Sequence, residues 1–167
     1  TAPPSPLDEF AQYVREEVQR RCAENAPPDE LERGFTEWCL EELAGHNEAD
    51  NADVLPDRPF RAEGRARWPA AKLNAWALSG DGATLDLFVT LYHGSDSVQK
   101  VGVTETRRQF KLLLGFLRRA REGFHTQLND SHEVFEAARQ IHEARDSLTT
   151  VRLFFLTDGV ARPEDIE

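Results

Sequence analysis

Apolar residues recur along the first part of the chain at the spacing of one helix face. Leu7, Phe10, Ala11, Val14 and Val18 alternate with charges and predict an amphipathic helix from 7 to about 24, ended by Pro27-Pro28. Asp29-Glu30-Leu31-Glu32 resembles a capping box, and Leu31, Phe35, Trp38, Cys39 and Leu43 form the apolar stripe of a second helix over 29–44. His46 to Pro69 has three prolines, several acids and little periodicity, which predicts a surface connection with a short strand near Phe60. Leu73–Leu78, Gly80-Asp81-Gly82 and Leu85–Tyr92 then read as two strands joined by a tight turn.

Val98–Val103 adds a possible third short strand. Thr104 is placed to cap a long helix with Phe110, Leu113, Leu114, Leu117 and Phe124 on one face. Ser131 is placed to cap another, with Val134, Phe135, Ala138, Ile141 and Leu148 inward, and 151–156 returns as a strand. The expected order is α-α-β-β-(β)-α-α-β, an α/β (α+β) domain with one mixed sheet flanked by helices. Residues 1–6 read as linker or disordered, 7–160 as a single domain and 161–167 as a linker to a downstream region. A start at Thr1 without methionine and a stop soon after a strand fit a fragment of a longer protein.

Composition narrows the function classes. In 167 residues, 30 Asp and Glu against 20 Lys and Arg give a formal charge of −10, which disfavours wholesale attraction to nucleic acid or anionic membrane. The two cysteines, Cys22 and Cys39, lie in helical patterns without a CxxC and read as reduced core thiols. With no apolar run long enough to span a membrane and no signal-peptide pattern, a cytoplasmic setting is expected. The five histidines show no zinc-ligand spacing, and GxSxG, P-loop and GxGxxG motifs are absent, leaving zinc, nucleophilic and nucleotide-motif enzymes without support.

Asp86 is the most unusual residue, because an acid within Leu85–Val89 costs several kcal/mol if buried unpaired. It is either a solvent-facing or capping carboxylate or part of a site. By strand parity it shares a face with Thr90, whereas His93 points the other way unless the strand bends. Asn74 is a polar candidate on the first strand, and Glu37 either faces solvent or points toward the hairpin. Between Lys100 and Arg121 the charge reverses. Arg107, Lys111 and Arg118 lie near one helical face, able to touch phosphates or to serve as a solvated surface.

Phe35-Thr36-Glu37-Trp38, Lys72–Leu78, Leu85–Tyr92 and Leu153–Gly159 together resemble the amino-terminal region of the abortive infection phage resistance (AIPR) family. The resemblance covers most of residues 29–160 and rests on strand patterns. It implies a restriction-endonuclease-like core of a helix, a three-stranded meander, a helix and a further strand. Such cores carry a metal-binding acid on one strand and a Glu/Gln-any-Lys motif on the next. Here those positions fall at Asn74 and at Leu91-Tyr92-His93, so the implied metal site is dismantled. The expectation is therefore a noncatalytic, nuclease-like module of a bacterial antiphage defence protein, with no cofactor, binding a partner protein or positioning downstream domains. The partner-facing surface is expected at 46–69 and at the acids Glu9, Glu16, Glu17, Glu30, Glu41 and Glu42. Two alternatives stand: an active Mg²⁺-dependent nuclease using Asp86 and Glu37, and a nucleic-acid sensor acting through the Lys100–Arg121 patch.

Overall fold

The computed structural model describes residues 2–48 and 51–161. Most of the stretch read as a downstream linker, 162–167, lies outside them. Ser5 caps α1 (Pro6–Arg21), its hydroxyl accepting from the Asp8 N–H at 3.2 Å, and Pro6 supplies the preset φ of a first helical residue. Ala11, Val14 and Val18 are buried, but Leu7 and Phe10, expected on the same face, are more than half exposed. Phe10 only leans on Trp38, at 6.4 Å between ring centroids.

The second helix, α2 (Pro28–Gly45), starts after Pro27, and no side chain caps it. The expected capping box does not form. Asp29 pairs with Arg61, and Glu32 turns into the protein toward an ammonium and an amide, stronger partners than a helix-end N–H.

The described part of the 46–69 connection is more ordered than expected. It contributes β1 (Asp53–Val54) and β2 (Phe60–Ala62), and it buries Leu55 and Phe60. The first hairpin strand is divided at Asn74 into β3 (Ala71–Leu73), which pairs with β2, and β4 (Ala75–Leu78), which pairs with β1 and β5 (Thr84–Leu91). Gly82, at φ +70°, makes the β4–β5 turn, where the Asp81 carboxylate accepts from the Ala83 N–H at 3.0 Å.

From β5 the chain crosses through α3 (Val103–Arg121), a 3₁₀ turn and α4 (Phe135–Glu143) to β6 (Thr150–Thr157). β6 runs parallel to β5, giving a mixed four-stranded sheet of order β1-β4-β5-β6 beside the β2–β3 ribbon. The strand expected over 98–103 reduces to one bridge, Lys100 to Val160, since Gly102 is already the N-cap of α3 in place of Thr104. Ser131 caps nothing, because its N–H and hydroxyl both donate to the Asn129 side chain; α4 begins four residues later.

β5 is sunk between two apolar layers. Leu85, Leu87 and Val89 pack with Leu113, Phe116 and Ile141 of α3 and α4, while Phe88 packs with Val14, Val18 and Phe35 of α1 and α2. The expected face of α3 is rotated: Phe116 is fully buried and Leu114 is half exposed. Gly115 explains the rotation. A Cβ there would stand 1.9 Å from the Ala70 carbonyl oxygen, so only glycine lets α3 press this close to the entry of β3. Arg119 fixes the contact by donating to the carbonyls of Pro69 and Glu63 at 2.8 and 3.0 Å.

Candidate functional site

Where β3 leaves the sheet, the ladder loses a backbone acceptor, and the Asn74 side chain replaces it. Its Oδ1 accepts from the Thr90 N–H at 2.9 Å. Its Nδ2 donates to Glu32 Oε2 at 2.9 Å, tying the kink to α2. Lys72, two residues earlier, donates to Glu32 Oε1 at 3.0 Å and to the Thr90 carbonyl at 2.6 Å. The hydroxyls of Thr36 and Thr90 lie 2.7 Å apart, with Thr36 also donating to the Glu32 carbonyl. Glu32, Thr36, Lys72, Asn74 and Thr90 are all buried. Burial pulls the Lys72 ammonium below its ordinary value against the opposing pull of Glu32. Arg61 completes the set from the rim, reaching Glu32 Oε2 at 3.3 Å and Asp29 at 2.9 Å.

Glu32 and Lys72 of this cluster form the inner wall of a cleft of ≈ 640 Å³ between the β2–β3 ribbon and α3, to which Arg61, Arg108 and Gln109 also contribute. Chemically its inner wall is saturated. Both oxygens of Glu32 already receive hydrogen bonds from cationic or amide donors, and the Asn74 amide is used at both ends. Such a carboxylate has little capacity left for a hard divalent cation, which prefers several anionic oxygens.

The residues singled out from sequence are dispersed. Asp86 is buried but answered by Arg152, its register partner on β6, through two bonds of 2.7 Å. Glu37 pairs with Arg33 on its own helix at 3.1 Å. His93 follows β5, where its N–H and that of Gly94 donate to the Asp158 carboxylate at 2.8 and 2.9 Å, with the imidazole Nδ1 3.1 Å from the same group. Of the four, only Asn74 enters the polar cluster. Asp86 and Thr90 do share the sheet face that parity gives them, with Phe88 between them packed toward α1 and α2. Arg107, Lys111 and Arg118 are exposed on α3, Arg118 pairing with Glu122 at 3.2 Å. Among the described residues no three or more His, Cys, Asp or Glu side chains are grouped to hold a metal ion, and no helix is long and apolar enough to cross a membrane.

Sequence reasoning missed Glu32 and Lys72 as site residues. Lys72 carried a signal: a charge inside the apolar run Ala70–Leu78, on the same strand parity as Asn74, must find a buried partner. Glu32 carried none, because its place near a helix start fits a cap equally well.

A family model described as abortive infection phage resistance protein N-terminal domain matches residues 35–167. No curated protein and no solved structure matches the chain.

Proposed function

The chain belongs to the family of abortive infection phage resistance protein N-terminal domains, and from that premise we propose that it is a noncatalytic, nuclease-like module of a bacterial antiphage defence protein. Its work is to bind a partner protein or to position further domains of the same protein.

The observation that carries this reading is the neutralised carboxylate. The resemblance to restriction-endonuclease-like cores implies a metal-binding acid at the position of Asn74, whose amide instead donates to the neighbouring Glu32 carboxylate. Lys72 and Arg61 complete the neutralisation. The order of a helix, antiparallel strands, a crossover and a parallel strand is compatible with a restriction-endonuclease-like core. A protein-binding role draws support from α1, where Leu7, Phe10 and Tyr13 stand at least half exposed beside the acids Glu9 and Glu16.

The nuclease alternative needs Asp86 and Glu37 released from Arg152 and Arg33 before either could ligate Mg²⁺. A cleavage assay separates the readings. Labelled single- and double-stranded DNA and RNA, incubated with the full chain and Mg²⁺ or Mn²⁺, are expected to remain intact. Metal-dependent cutting that disappears in Asp86→Asn or Glu32→Gln overturns the noncatalytic reading. The exposed Arg107, Lys111 and Arg118 support a second reading, nucleic-acid sensing without hydrolysis. It predicts oligonucleotide binding that weakens steeply with salt and in the triple alanine variant.

A further inference from the structure

We propose that the cleft between the β2–β3 ribbon and α3 binds a nucleoside phosphate. The inference deepens the noncatalytic reading and rests on it in one respect: the ligand is held and not cut.

Three features of the cleft each select part of such a ligand. The first is cationic. Arg61 reaches the rim from β2 and Arg108 from α3, with side chains 48% and 62% exposed. Arg61 uses one terminal nitrogen on Asp29 and the other on Glu32, and Arg108 uses one on Glu105. A guanidinium has five N–H donors in a planar fork, so these pairings leave donors on both residues for phosphate oxygens. With Lys72 at the inner end, the cations among the lining residues are Arg61, Lys72 and Arg108, and the acids are Glu32 and Glu63.

The second feature is a buried acceptor. Gln109 is 2% exposed, its amide nitrogen donates to Glu105 at 2.7 Å, and its Oε1 has no donor among the described residues. An orphaned buried carbonyl is costly, so a ligand that brings an N–H or O–H to it, once a side-chain rotation turns it into the cleft, is favoured. Neither a bare anion nor a hydrocarbon meets that demand as well as a nucleobase or ribose does. The third feature is the walls. Ala62, Leu91 and Leu112 offer an apolar surface to a flat ring, and the ≈ 640 Å³ volume lies within the usual range of small-molecule pockets. An anion, an apolar ring and a hydrogen-bond donor occur together in a nucleotide. Its source is either the free monomer or the phosphorylated end of a nucleic-acid strand.

Calorimetric titration of the full chain tests this. The probes are each of the four ribonucleoside 5′-monophosphates, the matching nucleosides and a short 5′-phosphorylated oligonucleotide beside its unphosphorylated form. Saturable binding of at least one phosphorylated probe is expected, at least about tenfold tighter than its unphosphorylated partner, as loss of a charge-assisted contact implies. The affinity should fall by about tenfold or more in Arg108→Ala and in Gln109→Leu, which tests the charge and the acceptor separately. It should be unchanged in Arg20→Ala, exposed on α1 and outside the cleft lining. Each variant's melting curve is recorded, so a folding defect in one leaves the other as the test. Tighter binding of the monomer or of the strand end identifies the source. Absence of saturable binding to every probe, or equal loss in Arg20→Ala, overturns the proposal while leaving the noncatalytic reading intact. Chromatography of the titrated mixture that finds the probe hydrolysed overturns the noncatalytic reading instead.

Discussion

Either end of β5 faces a buried carboxylate, and the two are neutralised differently. At the lower end Asp86 meets one guanidinium, Arg152, which is half exposed and also reaches the Glu48 carbonyl. At the upper end Glu32 is held by an ammonium, an amide and a rim guanidinium, with Lys72 and Asn74 themselves buried. The lower pair is a tie between neighbouring strands, and water can substitute for part of it. The upper cluster joins α2, the β3–β4 kink and β5, so no member can leave without stranding another. A buried acid in a strand is thus a poor guide to a site by itself. What distinguishes the upper end is convergence from several elements beside a cleft.

The sharpest way to break this contrast is to remove Glu32. Glu32→Ala leaves the Lys72 ammonium buried without its counter-ion, and unfolding in denaturant is expected to show a loss of about 3–5 kcal/mol. Replacing both partners, Glu32→Gln with Lys72→Met, should recover much of that loss. Failure of the double variant to recover would mean the pair is not the unit of stability. At the lower end the asymmetry is the prediction. Arg152→Ala strands a buried carboxylate and should cost about 1–3 kcal/mol, whereas Asp86→Ala leaves a guanidinium that reaches water and should cost about 1 kcal/mol or less. Equal costs would show that Arg152 is no more accessible than Asp86. Smaller again is Thr36→Val, which removes one hydroxyl of the Thr36–Thr90 pair and should lower stability by about 1 kcal/mol.

The helices over the upper end add a pH dependence. Burial pushes the Cys39 thiol from 9.0 up to about 12 and the Tyr92 hydroxyl from 10.0 up to about 12. Both groups bind their protons more tightly when folded, so their contribution is fully present below pH 9 and is lost as the pH climbs toward 12. Lys72 works the opposite way, since its folded value lies below 10.5 and folding gains as the pH rises toward that value. The expected net result is an alkaline decline in melting temperature that begins above pH 9 and is shallower in Cys39→Ala. An identical decline in that variant would remove Cys39 as its source.

Much of the fold was legible because its signals are local. The alternation through Leu85–Leu91 fixed which side chains share a face, and Asp86 and Thr90 fall where that parity puts them. The turn at Gly82 and the helices between the last two strands also announce themselves in the residues. Long-range accommodation was not legible. Gly115 has no side chain to betray that α3 lies against Ala70, and this contact turns Phe116 inward and Leu114 out. Ser131 is an acceptable cap until Asn129 takes its hydroxyl. The candidate site shows the same division. Asn74 stood out as a polar residue among apolar neighbours, but its kink, and the reach of Glu32 across from α2, depend on tertiary packing that no spacing encodes.

Manganese titration of thermal unfolding tests the neutralised carboxylate most directly. Asn74→Asp replaces the amide donor with a second carboxylate against Glu32, restoring the kind of oxygen pair a hard cation needs. The expected result is a wild-type melting temperature that does not change up to millimolar Mn²⁺ and an Asn74→Asp variant that is less stable without the ion and regains stability with it. A wild-type protein stabilised by Mn²⁺, with the effect abolished in Glu32→Gln, would contradict the account.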